Sequence, residues 1–600
     1  MPDKYKVLFL PQNKTGFFEK GTSLWQAALE LGIHSIQADC GGLGKCGKCL
    51  VTVKKGELSG TEQERNILDT EKNNKIRLAC QAQIMSDVVV EIPLEDETSG
   101  QVILADGETS FTDLDPAVVK TFVTLEKPQL EMNPFDLEEL KDKVRFSSVA
   151  LQVLQNLPET LRQADYKITT TCYADKLIDI EPGDSCDTRY GIAVDIGTTT
   201  IVAKLVDLNS GDIVSVASQL NAQRQFGEDV VSRISYASEQ KNGIHKIQKT
   251  IIDQLNRLID QLLQPHSLKP DRIYELTIAG NSTMEHLLLG ILPKYMAEYP
   301  YVPVFRGPIE LAAAEIGIKI NPNAMIYLLP NIGRFVGGDT VAVLLTLAKR
   351  YQGTWLMIDI GTNGELVLFH KGEMIACSTA AGPALEGAHI SCGMRATTGA
   401  IDHIDLNGDD LILHVIGESK ARGICGSGII DAIATSLKAG FIDQTGRILD
   451  SNEWREDIAE PLRERILTYD NSKQIQFSDD CTMNQKDIRE VQLAKSAIAS
   501  GIQILLKQYQ LSTDDLDAIY LAGAFGQYIR PEMAQKIGLL PDIDLQKIHF
   551  IGNAAYAGAE LALCNRSFKQ LAQELVEKVK YIEISTDMEF QTLFAENMLF

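Results

Sequence analysis

Apolar and polar positions alternate from the start of the chain. Tyr5-Lys6-Val7-Leu8-Phe9-Leu10 has the two-residue period of a half-buried strand, and a second short strand is expected near Gly16-Phe17-Phe18. The period then lengthens to that of a helix over Leu24 to Leu31. Ser23 and Gln26 stand at the spacing of a capping box before it, and Gly32 ends it. Val51-Thr52-Val53, a turn at Gly56 and Val88-Val89-Val90-Glu91-Ile92 complete a unit assigned to residues 1–93. After Pro93, Leu94-Glu95-Asp96-Glu97-Thr98-Ser99-Gly100 is acidic and poor in large apolar groups, so residues 94–117 are expected to form a linker. An ordered surface strap is the other reading, because Val102-Ile103-Leu104 could add a strand. A strand over Val118 to Val123 and helices over Leu137 to Lys143 and Val149 to Leu157 make residues 118–187 a small α+β unit. It carries no chemistry-bearing motif and reads as a module for contacts, self-association among them.

Residues 188–600 have a different texture, long glycine-punctuated α/β. Gly191-Ile192-Ala193-Val194-Asp195-Ile196-Gly197-Thr198-Thr199-Thr200 matches Trp355-Leu356-Met357-Ile358-Asp359-Ile360-Gly361-Thr362-Asn363-Gly364, 164 positions later. Each copy is an apolar strand, an Asp-Ile-Gly-Thr turn and a second strand, and the spacing is that of a duplicated subdomain. In such turns glycine lets the main chain approach phosphate oxygens, backbone amides and threonine hydroxyls donate to them, and the aspartate can order a hydrated divalent metal.

Composition narrows the partners. With 81 acidic against 57 basic residues, the chain should repel polyanions, so nucleic acid and anionic membrane are excluded as expected partners. No apolar run reaches the length that spans a bilayer, and Met1-Pro2-Asp3-Lys4-Tyr5-Lys6 leads into a strand without the apolar core of a signal peptide. Seven of the 11 cysteines (172, 186, 377, 392, 425, 481 and 564) are scattered singly and read as buried free thiols of a reducing cytoplasm.

The other four are clustered. Cys40, Cys46, Cys49 and Cys80 have the spacing C-x5-C-x2-C-x30-C, close to the plant-type pattern of a [2Fe-2S] cluster. Structural zinc is the weaker alternative, since two C-x2-C pairs or a Cys/His mixture is usual there. Glycines 41, 42, 44 and 47 allow backbone N–H groups to approach the sulfurs. Together with the strand, strand, helix, loop and final strand, this resembles the β-grasp ferredoxins, and the five-residue first gap is closest to the adrenodoxin-like branch. Trp25 and His34 are expected to be packing and surface residues.

The duplicated turns resemble those of the superfamily of actin, sugar kinases and seventy-kilodalton heat-shock ATPases, whose two lobes close on ATP. That resemblance implies roles for residues of both turns: Asp195, Gly197, Thr198 and Thr199 in the first, Asp359, Gly361, Thr362 and Asn363 in the second. Val336 to Leu345 looks like the first connecting helix, with Asp339 the candidate for positioning the attacking water. Ala518-Ile519-Tyr520-Leu521-Ala522-Gly523-Ala524-Phe525-Gly526 resembles the adenosine motif, with Gly523 and Gly526 admitting the nucleoside beside a helix over Val491 to Leu506. Gly552 to Ala559 looks like the second connecting helix.

Other stretches admit two readings. Gly423 to Gly428 could hold an anion at a helix start or pack closely, and Glu386 is a weaker candidate for metal or water contact. Arg224 to Asp229 is expected at a lobe edge or partner surface, or as a plain solvated helix start. Asn281 is expected only to cap a helix, with Glu285 and His286 disfavoured as metal ligands.

The predicted fold class is thus multidomain α/β and α+β: a ferredoxin-like domain, a small middle domain and a large duplicated actin-like ATPase domain. Over nearly its full length the chain resembles the ATP-dependent reductive activators of corrinoid proteins. The resemblance implies that one electron passes from the [2Fe-2S] cluster to inactive Co(II) on a corrinoid protein, restoring Co(I), with ATP and Mg bound at the duplicated turns. A separate low-potential electron donor is implied. Competing readings are an activator of radical dehydratases and a small-molecule kinase with a redox sensor domain.

Overall fold

The computed structural model describes residues 4–31, 33, 36, 44, 49–68, 75–92, 114–129, 135–408, 410–450, 453–454, 459–469, 472–523 and 528–600. The linker up to residue 113, Cys40, Cys46, His34 and Gly526 lie outside them. Among the described residues no helix is long and apolar enough to cross a membrane.

The N-terminal unit is a five-stranded mixed sheet in the order Lys14–Glu19, Lys4–Leu10, Val88–Glu91, Leu50–Lys55, Ile76–Leu78. The first strand runs parallel to Val88–Glu91, closing the sheet around helix Leu24–Glu30. The capping box forms as predicted: Ser23 Oγ accepts from Gln26 N, and the Gln26 side chain accepts from Ser23 N. Alternation buries Val7 and Phe9 against Leu24, Ala28, Leu78 and Val90, and Trp25 packs in the same core. A buried pair, Glu64 and Arg77, crosses this unit, and Leu78 N also donates to Glu64 Oε1 at 2.8 Å. That pins the segment leading to Cys80.

The second unit has a four-stranded sheet, Val118–Thr124, Lys167–Tyr173, Lys176–Pro182 and Ser148–Val149, with helices Asp136–Lys141 and Leu151–Gln163 against it.

Two six-stranded sheets follow, built on one plan. The first has antiparallel neighbours Ile213–Leu220, Thr200–Asp207 and Tyr190–Ile196, then parallel neighbours Ile273–Gly280 and Met325–Leu328. The second repeats this with Glu373–Thr379, Gly364–His370, Thr354–Ile360, Ala518–Ala522 and Ile548–Gly552. Strands buried on both faces read as continuous apolar runs, and here the two faces serve different cores. Ile192, Val194 and Ile196 pack outward under helix Gly243–Leu263, and Leu356, Ile358 and Ile360 outward under helix Gln485–Gln508. Ala193, Trp355 and Met357 face a central core shared by both sheets, containing helices Gly338–Thr346 and Ala554–Cys564. Period two therefore turns Asp195 and Asp359, at the ends of their strands, toward the space between the lobes.

The two central helices touch backbone to backbone. A β-carbon on Gly558 would stand 2.0 Å from the carbonyl oxygen of Ala342. A buried ion pair, Lys204 to Glu560 at 3.1 Å, ties the second helix to the first sheet. The linker's end joins here as well: Asp115 N donates to Cys564 O at 3.0 Å, and Asp115 pairs with Arg566 at 2.7 Å.

One cysteine expectation needs correction. Cys172, Cys377, Cys425 and Cys564 are buried free thiols, but Cys392 and Cys481 form a disulfide with Cα atoms 5.2 Å apart. The loop after Glu386 folds back onto strand Cys481–Asn484, where Ser391 bonds Asp487. A separation of 89 residues gave the sequence pattern no sign of it.

Substitution Gly558→Val should force the central helices apart and destabilise the ATPase unit by about 1–3 kcal/mol. A lowered melting transition of that unit is the expected result, and an unchanged one would show that the helices separate freely.

Candidate functional site

Between the two sheets lies a cavity of about 350 Å³. Its walls include Asp195 and Gly197 to Thr200 from the first hairpin, and Asp359 to Asn363 with Glu365 from the second. Asp339, Asn281, Glu386 and Gly523 complete its polar end, while Met394, Cys425 and Tyr528 line another part. All the predicted ATPase-site residues that are described are thus brought together.

Local reasons for glycine are visible at two of these positions. A β-carbon at Gly197 would stand 2.7 Å from Thr200 O, so only glycine closes the first turn. At Gly523, φ is +88° and a β-carbon would meet Asp359 Oδ1 at 2.6 Å. The glycine expected to admit a nucleoside therefore also makes room for the second aspartate.

The first turn is held from below by residues that pattern reading missed or assigned elsewhere. Asn221 Nδ2 donates to Gly197 O at 2.8 Å, and Arg233 Nη2 to Thr198 O at 2.6 Å. Asn281 Nδ2 donates to Thr198 Oγ1 at 3.1 Å, while its Oδ1 caps helix Ser282–Leu289. Its predicted capping role is present, and it also reaches the site. Arg233 Nε donates to Gly227 O at 2.8 Å, and Asp229 caps helix Val230–Glu239, so the Arg224 to Asp229 stretch is the expected helix start but a packed rather than a solvated one. That stretch, with Phe226 buried, underpins the phosphate turn. Nothing local marked Arg233, since its partners are two carbonyl oxygens and the distant Met284 Sδ. Glu365 was more legible: it is the lone carboxylate in the apolar run after the second turn, and it pairs directly across from Asp359. Glu285 and His286 are outside the cavity wall, bonded to Asn331 and to Ser282 O respectively. At Gly428 the packing reading prevails, because a β-carbon would stand 2.2 Å from Ile401 O.

Carboxylates outnumber cations in the cavity wall, which also carries Arg395. Burial first, then repulsion from Asp339 and Asp359, raises the pKa of Asp195 to about 8. Burial, with Asp339 and Glu386 adding to it, raises Asp359 to about 7, and burial raises Asp339 to about 6. Glu365 is pushed well above the usual carboxylate range by burial and by Asp339 and Asp359. The nearest buried cations are engaged elsewhere, Lys204 with Glu560 and Arg233 with backbone carbonyls. Among the described residues no three His, Cys, Asp or Glu side chains are arranged to hold a metal by themselves. This donor set fits a cation that brings most of its ligands with it, as magnesium does with water and phosphate oxygens.

In the N-terminal unit, Cys49 and Cys80 converge with their sulfurs 3.2 Å apart, both buried. Gln81 Nε2 donates to Cys80 Sγ at 3.5 Å, and its Oε1 accepts from Thr61 Oγ1 at 2.7 Å. Gly44, in a left-handed conformation with φ +68°, packs on that amide. Two convergent buried thiols with an amide donor fit two ligands of an iron-sulfur cluster.

Comparison with known proteins places both sites in matched domains. A family model described as a 2Fe-2S iron-sulfur cluster binding domain matches residues 10–85. Models of the RACo linker region, the RACo middle region and the C-terminal domain of RACo, the ASKHA domain, match 107–187, 190–349 and 353–600. The corrinoid activation enzyme RamQ of Eubacterium limosum is 35% identical over 575 residues, 94% of this chain and 93% of that protein. The chain belongs to the RACo family. A [Co(II) methylated amine-specific corrinoid protein] reductase of Methanosarcina barkeri is 27% identical over 65% of this chain and 73% of that protein. The solved structure of a reductive activator for corrinoid, iron-sulfur protein superposes with a TM-score of 0.73 at 33% identity, covering 99% of this chain and 98% of that one. The expected fold class stands: a ferredoxin-like domain, the linker and middle regions and an actin-like ASKHA domain, supporting a 2Fe-2S cluster and ATP as ligands.

Two measurements test the site. Aspartates with raised proton affinity keep protons that the unfolded chain has already released, so the nucleotide-free protein should lose stability as pH rises from 3.8 toward about 8. Asp359→Asn should therefore raise the melting temperature at pH 8 more than at pH 5, and equal shifts would contradict it. Gln81→Ala should lower the cluster's midpoint potential by roughly 20–60 mV, since an N–H···S bond of about 0.5–1.5 kcal/mol favours the more negative reduced state. An unchanged potential would exclude this contact as a tuning bond.

Proposed function

We propose that this chain is an ATP-dependent reductive activator that returns one electron to Co(II) of a corrinoid protein, restoring Co(I) for methyl transfer. One observation carries the reading: two Asp-Ile-Gly-Thr turns face each other across a single cavity in a chain that also converges Cys49 and Cys80. The relatives named above activate or reduce corrinoid proteins, which supports the same substrate class here.

The [2Fe-2S] group supplies a one-electron carrier, with Cys40, Cys46, Cys49 and Cys80 as its ligands. The chain's own residues meet the energetic problem. Plant-type clusters lie near roughly −400 mV, and a gap of about 200 mV to a lower cobalt couple costs about 5 kcal/mol for one electron. Nucleotide energy can cover such a gap only through a difference in binding between two lobe arrangements. Here Thr198 and Thr199 on one sheet, and Thr362 and Asn363 on the other, would donate to the same phosphates. Asp195 and Asp359 would hold the water shell of Mg, and Asp339 stands in the first turn of the central helix Gly338–Thr346. Gly523 leaves room for the nucleoside, and Gly526 is assigned the same role from its motif. Closing on nucleotide thus pulls the two turns together while moving the helices between them. We place this cycle in the cytoplasm, fed by a separate low-potential donor.

The test is an anaerobic mixture of the protein, reductant, Mg-ATP and a Co(II) corrinoid protein, followed by the absorbance of Co(I). Cys49→Ser should abolish Co(I) formation while ATP binding persists. Asp195→Ala should leave the cluster reducible and remove ATP turnover. Sustained repeated activation by a variant without ATP hydrolysis would sink the coupling.

A further inference from the structure

Glu386 ends the short turn Pro383–Glu386, on the loop after strand Glu373–Thr379. Thr199 Oγ1 donates to its Oε2 at 2.8 Å, and Thr362 Oγ1 donates to its Oε1 at 3.1 Å. Thr199 belongs to the first turn and Thr362 to the second, so one carboxylate spans both lobes at the place where a phosphate has to lie. A β-carbon on Gly361 would stand 3.7 Å from Oε1, which puts the carboxylate directly over the second turn.

A hydroxyl donates one hydrogen. When a terminal phosphate enters, both threonines turn to its oxygens and both Glu386 oxygens lose their donors. An ionised carboxylate facing an anionic phosphate is repelled unless a water stands between them, donating to the carboxylate and presenting its oxygen to phosphorus. Gly382 and Gly387 flank the turn with φ of +75° and +83°; a β-carbon on Gly382 would meet nothing within 4 Å, while one on Gly387 would stand 2.7 Å from Met394 O, so the turn is anchored on its far side. The first candidate for this role, Asp339, accepts at Oδ1 from Thr340 N at 2.7 Å within its own helix, whereas Glu386 is held by both turns.

We infer that Glu386 is the catalytic base of ATP hydrolysis. The water oxygen bonds to the γ-phosphorus, and the bond from that phosphorus to the β,γ-bridging oxygen breaks with its electron pair leaving on ADP. The water proton passes to the Glu386 carboxylate and then to solvent. This inference rests on the reading of the cavity as an ATPase site.

The experiment uses the full-length, cluster-loaded protein and measures phosphate release from Mg-ATP with and without a Co(II) corrinoid protein, alongside ATP affinity. Glu386→Gln keeps the side chain's size and cannot take a proton. It should lower kcat by about 10²–10⁴-fold and leave ATP affinity unchanged or tighter. Glu386→Asp, which keeps the charge, should recover part of kcat, and it carries the test alone if the amide variant fails to fold. Overturning results are a kcat within threefold of the native value, or a loss of kcat matched by an equal loss of ATP affinity, the signature of a strap between the turns. A native protein without ATP hydrolysis would overturn the proposed function as well, whereas an active native protein with an equally active variant overturns this inference alone.

Discussion

The structure depends on negative charge confined between two lobes. Asp195, Asp339 and Asp359 share one cavity with Glu365 and Glu386, and the nearby buried cations are already committed. Like charges brought out of water raise one another's proton affinity, and a bound divalent cation reverses that effect. The protein alone therefore holds its lobes together against a penalty that a divalent cation bound at these carboxylates would relieve.

The cavity's groups are also the ends of the elements that separate the lobes. Asp339 lies in the first turn of helix Gly338–Thr346, and Asn553, which bonds Asp195, precedes helix Ala554–Cys564. These helices meet at Gly558 and Ala342 with no side chain between them. Contact this close transmits displacement, because packed backbone cannot absorb it by changing rotamers. The far end of the second helix bonds Asp115, where the chain arrives from the linker. A single helix thus runs from the nucleotide cavity to Asp115, in the stretch where the described chain resumes after residue 92.

Each lobe repeats the other's strand plan, yet the supports differ. The first turn is buttressed by Asn221, Arg233 and Asn281, while the second closes on itself through Gly361 N to Asn363 O at 3.0 Å and on Glu386. The two copies keep the Asp-Ile-Gly-Thr turn while their supports differ, since a carbonyl oxygen can be satisfied by any donor that reaches it.

Chemistry encoded within a few consecutive residues was legible from the chain alone. Each Asp-Ile-Gly-Thr turn and the Ser23–Gln26 capping box are local, because strand period, turn geometry and cap bonds act over two to five residues. Glu365 was not singled out, although its place opposite Asp359 across a hairpin lay within reach of the strand period. What only the tertiary structure decided is long-range. Arg233 reaches Thr198 across 35 positions, Cys392 meets Cys481 across 89, and Glu386 reaches Thr199 across 187. Those meetings are set by how two sheets pack on a shared pair of helices, and periodicity along a chain carries no record of which distant loop that packing brings to the same point.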